Sequence, residues 1–328
     1  MALAAASGAV SVAPLTILEI VLARFGVAVA MADPTLAAIV WEIRLPRVVA
    51  AGLVGAALAL AGVLTQGLFR NPLAEPYILG MSGGAGFAVT AFLAFATPLH
   101  LNQAMSYLSW VGAFGGLITI AIVYALASRR GRVDPLTILL AGLAMSAILG
   151  ALTTALLFMG DPHLTRLARV WSWMGGGVQV LGWGPIAAAV PPLGLGIVVA
   201  LRQAAGLDAL ALGEESAAQL GIAIQRQRVE AIVGIALLAG AAVTLAGLIG
   251  FVGLVVPHIM RLIVGPRHLP LLIANAPAGA AFVVLADLAA RTLLPPAEIP
   301  LSVITALVGG PWFLYLLRAR RGFVGAIG

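Results

Sequence analysis

The chain alternates long apolar blocks with short polar connections. An α-helix needs roughly 20 apolar residues to cross the ~30 Å hydrocarbon core of a bilayer, and about ten blocks approach that length. The predicted spans lie near residues 10–31, 47–69, 78–96, 107–127, 136–158, 184–201, 229–248, 251–264, 271–292 and 300–317. The pattern therefore predicts an all-α membrane protein, because helices satisfy their backbone hydrogen bonds internally within lipid.

The placement of arginine predicts the orientation of these spans. Short, positively charged loops stay in the cytoplasm, and an even number of spans puts both termini on one side. Most of the 18 basic residues share a side in this arrangement: Arg70, Arg129, Arg130, Arg132, Arg202, Arg226, Arg228, Arg261, Arg267, Arg318, Arg320 and Arg321. Both termini are therefore predicted to be cytoplasmic, and the connection over residues 160–183 to be external.

The composition agrees with lipid as the main solvent. Hydrophobic residues make up 62% of the 328 and charged residues 9%, and the mean hydropathy is +1.11. A soluble globule of this composition would expose large apolar patches. The net charge of +6 comes from arginines placed between apolar blocks. That distribution is typical of topology signals and argues against nucleic acid as a partner.

Several missing residue types narrow the chemistry. The sequence contains no Lys, so it lacks the Walker A lysine of a P-loop ATPase, and no Cys, so it has no thiolate ligand or nucleophile. It also shows no HExxH motif, paired carboxylates or Ser/His/Asp set, and we predict that the chain is not an enzyme. No arginine precedes Arg24, so the first block is predicted to be a retained span rather than a cleaved signal peptide.

Small residues recur at helical spacing within the spans, as at Gly55 and Ala59 and at Gly112 and Gly116. In lipid such pairs let two helix backbones approach closely, so they predict helix-to-helix contacts. The connection NPLAEP at 71–76 interrupts the chain between the second and third spans. Its prolines break the helix and leave polar backbone that needs protein or water around it.

One polar, helix-capable island, LGEESAAQLG from Leu212 to Gly221, separates two apolar regions. Its two glutamates suit the first turn of a helix, where the macrodipole favours negative charge. Its alanines and second leucine can present a small apolar face, and Gly221 can end the helix in the left-handed conformation. The island is predicted to lie in the cytosol, either as a docking surface for a soluble partner or as a solvated connector.

Ionisable groups within the spans are few. Asp287 and Arg291 are four residues apart and share a helix face, which predicts a structural ion pair, with contact to a substrate or an external protein as the alternative. Asp287 is also the main carboxylate that an ion-coupled secondary transporter could use. His258 has no second ligand at suitable spacing, so we interpret it as a positional residue and predict no metal site.

Six blocks of the sequence, in order between about residues 43 and 318, form a recognisable set: RLPR at 44–47, GVLTQGLFRNPLAEPYILGMSGGAG at 62–86, ALGEESAAQLGI at 211–222, GLIGFVGLVVPHIMRLIVG at 247–265, LADLAAR at 285–291 and EIPLSVITALVGGPWFLYLLR at 298–318. Together they resemble the FecCD-type permease subunits of the iron-chelate, haem and cobalamin ABC importers, which are type II importers.

The resemblance implies a single transmembrane permease domain over residues 1–328, in the bacterial inner (cytoplasmic) membrane and among its lipids. It implies a homodimer, or a pseudo-dimer, of ten-helix subunits that sits on two cytosolic ATPase subunits and receives substrate from an extracytoplasmic binding protein. ATP and Mg would be used by the ATPase, and this chain would bind no cofactor. The cargo would be an iron-siderophore, haem or cobalamin, moved by alternating access.

The resemblance also implies roles for particular residues. A cytosolic coupling loop over about 203–228 would dock on the ATPase through Leu212, Gly213, Glu214, Glu215, Ala218, Leu220 and Gly221. The fifth span would line the dimer axis and carry a gate around Ala141, Gly142, Met145 and Ser146, although an ordinary buried helix has the same composition.

The external segment 161–183 combines Arg166 and Arg169 with three tryptophans. Tryptophans at this position commonly anchor a protein at the bilayer surface. The alternative follows from the resemblance, in which an external binding protein docks on this side. Arg166 or Arg169 would then meet an acidic face of that protein.

Overall fold

The computed structural model describes residues 6, 12–27, 33–95, 101–129, 132–160, 165–295 and 297–324. The helices are α1 (Pro14–Arg24), α2 (Pro34–Ala38), α3 (Leu45–Phe69), α4 (Met81–Phe95), α5 (Leu101–Ala127), α6 (Pro135–Gly160), α7 (Thr165–Met174), α8 (Gly184–Ala211), α9 (Glu214–Gln219), α10 (Ile224–Ala246), α11 (Val252–Val264), α12 (His268–Thr292) and α13 (Leu301–Val324). A π-helical turn, Ile39–Arg44, joins α2 to α3, and a 3₁₀ turn, Pro76–Leu79, precedes α4. The strands β1 (Ser128–Arg129) and β2 (Arg132–Val133) form a small antiparallel hairpin between α5 and α6.

Among the described residues, six helical segments are long and apolar enough to cross a membrane: Pro34–Phe69, Tyr107–Ala127, Pro135–Phe158, Gly184–Ala211, Ile224–Ala246 and His268–Thr292. Three shorter apolar helices accompany them: Met81–Phe95, Val252–Val264 and Leu301–Leu314. The prediction of an all-α membrane protein is therefore confirmed. The count of ten spans and the cytoplasmic termini stay predictions.

Several span boundaries differ from the sequence-based ones. In the first span the helix ends at Arg24 rather than at residue 31, and the helical segment of the second begins at Pro34 rather than at residue 47. The sixth span continues past residue 201 to Ala211, and the seventh begins at Ile224 rather than 229. The polar residues that seemed to end these spans are built into helix contacts, since Gln203 is buried and its carbonyl accepts a hydrogen bond from Gln227 Nε2 at 3.0 Å. The predicted loop over 203–228 is thus the end of α8, the short α9 and the start of α10.

Helix α3 is the centre of the bundle. It packs against α8, α10, α11 and α12, while α4, α5 and α6 form a second group beside it. In the most apolar stretch of the Pro34–Phe69 span 83% of the residues are buried, against 17% for the α6 span. Much of the α6 surface therefore faces lipid or another protein.

Glycines bring the helices around α3 into backbone contact. A Cβ on Gly55 would lie 2.0 Å from the carbonyl oxygen of Gly279 in α12, and a Cβ on Gly62 would lie 2.0 Å from that of Gly253 in α11. The second predicted small-residue pair also lies at contacts, with Gly112 against Trp173 and Gly116 against Met81. The predicted close helix-to-helix contacts are confirmed.

These contacts predict which helix glycines accept a side chain. We expect Gly62→Ala to lower the free energy of unfolding by about 1–3 kcal/mol, because the added methyl group must displace the backbone of α11. Gly194→Ala in α8 is the control, since a Cβ there meets nothing within 4 Å. Thermal unfolding and monodisperse yield in detergent measure both. Equal behaviour of the two variants would contradict the α3–α11 contact.

Candidate functional site

The candidate site is the coupling segment, residues 212–223, which joins α8 to α10. Its helix α9 begins after Gly213, at φ +110°, and ends before Gly221, at φ +78°. The Gly221 N–H donates to Ala218 O and the Ile222 N–H donates to Ala217 O, both at 3.0 Å. This is the Schellman arrangement that a left-handed glycine permits. The predicted end of the helix at Gly221 is confirmed.

The segment turns one face inward and one outward. Ala217 is fully buried, whereas Leu212 and Leu220 are 70% and 65% exposed. Glu215 and Ala218 are exposed as well. Of the residues predicted to present a small apolar face, Ala218 and Leu220 are exposed, whereas Ala217 packs α9 against the rest of the chain. The outward surface therefore consists of two leucines on either side of a short, acidic helix.

An ion pair holds α9 on α10. Arg228 Nη2 lies 2.5 Å from Glu214 Oε1, and only 7% of the Arg228 side chain is exposed. From the sequence, Arg228 is a topology signal with no predicted partner. Arg228 lies in the first turns of α10, 14 residues after Glu214. No spacing rule for a single helix pairs two residues that lie on different helices.

The start of α6 adjoins this ion pair. Asp134 Oδ2 accepts hydrogen bonds from the Thr137 N–H and hydroxyl, both at 2.8 Å, and so caps α6. These hydrogen bonds, with a smaller contribution from the Arg228 charge, lower the pKa of Asp134. Asp134, Glu214 and Arg228 together line two cavities, of about 340 and 920 Å³. The coupling segment and the first turn of α6 thus share one cleft.

The predicted gate residues lie where α6 meets α4. Gly142 is buried, and a Cβ on it would lie 2.4 Å from the carbonyl oxygen of Ile78. Ser146 packs against Gly83, while Ala141 and Met145 are partly buried. These contacts connect α6 to the turn before α4. The role of the four residues as a gate stays a prediction.

At the other end of α3, four charged side chains meet. Asp287 Oδ2 lies 3.1 Å from Arg291 Nε, and Asp287 Oδ1 lies 3.0 Å from Arg47 Nη2. Arg47 also donates to both carboxylate oxygens of Glu298, at 2.9 and 2.8 Å. These hydrogen bonds lower the pKa of Glu298. Its pairing therefore stabilises the fold at neutral pH and is lost as the pH falls through that lowered pKa.

The three tryptophans of the external segment differ in environment. Trp171 is 67% exposed, as a bilayer anchor would be. Trp173 is buried, and Trp183 packs on Trp41 with ring centroids 5.3 Å apart. Arg166 and Arg169 fall outside the residues whose side chains the structure describes, so their predicted contact with a binding protein stays a prediction.

His258 lies edge-on to Trp312, with ring centroids 6.4 Å apart. Within the described part of the chain, no three His, Cys, Asp or Glu residues converge as metal ligands. The contact with Trp312 agrees with the interpretation of His258 as a positional residue.

Long apolar helices around a central span, with a short polar helix in the connection between two of them, define a multi-pass helical membrane protein. The chain belongs to the FecCD transport family, whose sequence profile matches residues 1–319.

Individual relatives agree with this assignment. The hemin transport system permease protein HmuU of Yersinia pestis is 40% identical over 284 residues, covering 86% of this chain and 84% of that protein. The cobalamin import system permease protein BtuC of Halobacterium salinarum is 41% identical over 283 residues, covering 86% of this chain and 74% of that protein. The fold matches a solved metal-chelate type ABC transporter in an inward-facing conformation, with a TM-score of 0.76, 31% identity and coverage of 93% and 97% of the two chains.

Proposed function

We propose that this chain is the membrane permease subunit of an ATP-driven importer for a metal chelate, working as a homodimer with two cytosolic ATPase subunits and an external binding protein. The observation that carries the proposal is the outward surface of the coupling segment. Leu212 and Leu220 expose 70% and 65% of their area beside a short helix that Arg228 fixes to α10. Exposed leucines on either side of a fixed helix suit a protein groove better than water.

The cleft at α9 suggests how the docked ATPase acts on the membrane domain. Movement of α9 reaches α10 through the Glu214–Arg228 pair, and the adjoining Asp134 caps α6. Because α6 packs through Gly142 against the turn before α4, a shift of α6 would reposition that turn. This coupling would open and close the path by alternating access. The exposed leucines of α6, including Leu136, Leu140 and Leu143, supply the face for the second copy.

The substrate class follows from the relatives, whose names specify hemin and cobalamin. We propose an iron-siderophore, haem or cobalamin as the cargo of this chain. ATP hydrolysis would take place in the partner, since the chain has no Lys for a P-loop.

Reconstitution tests this proposal. We expect proteoliposomes that hold the permease, its ATPase and its binding protein to accumulate one of these three labelled chelates only when ATP is supplied to the ATPase side. The permease purified alone should hydrolyse no ATP, and an ATPase variant without its Walker A lysine is the control for uptake. Uptake driven by a proton or sodium gradient without ATP would instead identify a secondary transporter.

A further inference from the structure

Helix α11 begins in the middle of the bundle rather than at its surface. A Cβ on its second residue, Gly253, would lie 2.9 Å from the carbonyl oxygen of Leu58, and Gly253 also contacts Gly62. Both α3 residues belong to the central part of a 25-residue helix. The break between α10 and α11 therefore lies among apolar spans, where exposed backbone groups need partners from the protein.

One such partner comes from α3. Pro257 has no N–H, so the Gly253 carbonyl loses its usual donor within α11. Gln66 Nε2 lies 3.3 Å from the carbonyl oxygens of both Gly253 and Leu254. Arg261 Nη2 donates to Gln66 Oε1 at 3.1 Å, which orients the amide. The proline break in α11 is thus satisfied by a side chain of the central helix.

A second partner comes from the connection between α3 and α4. Glu75 Oε1 accepts a hydrogen bond from the Phe251 N–H at 2.6 Å, just before the first residue of α11. Phe251 has φ +68°, a left-handed conformation that is costly for a residue with a side chain. Its ring packs against α13, since a Cβ on Gly309 would lie 2.6 Å from it.

We propose that Glu75 is a positioning residue for transport: by accepting the Phe251 N–H, it holds that residue in its left-handed conformation and fixes where α11 begins. Glu75 lies on the same connection as Ile78, which packs against Gly142 of α6. The connection therefore contacts α6 on one side and the start of α11 on the other. Through Glu75, a shift of α6 would be accompanied by a shift of α11. The proposal rests on the proposed transport function.

The test compares two substitutions in the complete importer. Glu75→Gln keeps an acceptor oxygen at the same place, whereas Glu75→Leu has a related volume and no acceptor. We expect Glu75→Gln to retain uptake within about threefold of the parental rate and Glu75→Leu to lose about tenfold or more, because it leaves the Phe251 N–H unsatisfied. Both variants should reach the membrane and assemble with the ATPase in normal amount.

Thiol labelling gives a readout that does not depend on transport. Val252→Cys introduces one cysteine into this Cys-free chain, at a position that is fully buried. We expect its reaction with a small maleimide to stay slow with Glu75 or Glu75→Gln and to accelerate with Glu75→Leu. If the parental importer moves no chelate, the proposed function fails and the labelling still decides the role of Glu75.

Three results would overturn the role of Glu75. Parental uptake by Glu75→Leu would show that the hydrogen bond is dispensable. Equal loss of uptake in both variants would show that the negative charge, not the acceptor, is required. Unchanged labelling of Val252→Cys beside Glu75→Leu would show that α11 does not depend on this contact. If Glu75→Leu does not reach the membrane, loss of uptake by Glu75→Gln alone overturns the proposal, and retention supports it.

Discussion

Replacing Leu212 and Leu220 together with alanine is expected to abolish chelate uptake and to leave the membrane domain folded. Both side chains are largely exposed, at 70% and 65%, so their loss removes little of the core. If they fill a groove of the ATPase, their truncation costs about 2 to 4 kcal/mol of association, roughly 30- to 1,000-fold in Kd. An ATPase that is not bound cannot drive the permease.

Three measurements separate this outcome from a folding defect. Thermal unfolding of the purified permease should be unchanged, co-purification of the ATPase should fall, and uptake should be lost. Leu269→Ala is the matched control, since Leu269 is 47% exposed at the start of α12 and lies outside the coupling segment. Normal ATPase association by the double variant, with uptake at the parental rate, would refute the docking surface.

The features that sequence reasoning predicted are those encoded over short distances. The end of α9 at Gly221 follows from one glycine in a left-handed conformation, observed at φ +78°. The contact surfaces of α3 follow from small residues at helical spacing, and the interruption before α4 follows from two prolines. Hydrophobicity over about 20 residues gives the spans in the same way.

The features that it missed are contacts between distant segments. Arg47 and Asp287 are 240 residues apart, and Glu75 and Phe251 are 176 residues apart. The spacing of four residues on one helix predicted the pair of Asp287 and Arg291. Spacing along one helix cannot predict that Arg47, on another helix, also contacts Asp287. The mid-bundle start of α11 was missed because its apolar residues resemble an ordinary span. The packing of Gly253 on α3 is what distinguishes a helix that starts inside the bundle from an ordinary span.

Asp287 contacts two arginines. Its loss is therefore expected to destabilise the fold more than the loss of either arginine alone, whereas in a simple pair the two losses would cost about the same. The Asp287 carboxylate contacts both Arg47 and Arg291, and Arg47 also contacts Glu298. Asp287→Ala leaves Arg47 and Arg291 with Glu298 as the remaining carboxylate of the cluster. We expect that variant to lose about 3 to 5 kcal/mol, the cost of breaking a buried pair. Arg291→Ala should cost less, because Arg47 still contacts Asp287.

The double variant Asp287→Ala/Arg291→Ala restores the original net charge of the cluster and keeps the Arg47–Glu298 pair. We therefore expect it to recover much of the folded yield that Asp287→Ala loses. Glu298→Ala is the control, because its side chain is 51% exposed and a pair at the surface contributes about 0–1 kcal/mol. Thermal unfolding in detergent, measured beside uptake, distinguishes stability from function. If Asp287→Ala unfolds at the parental temperature and only uptake is lost, the cluster contacts substrate or binding protein, and its structural role is wrong.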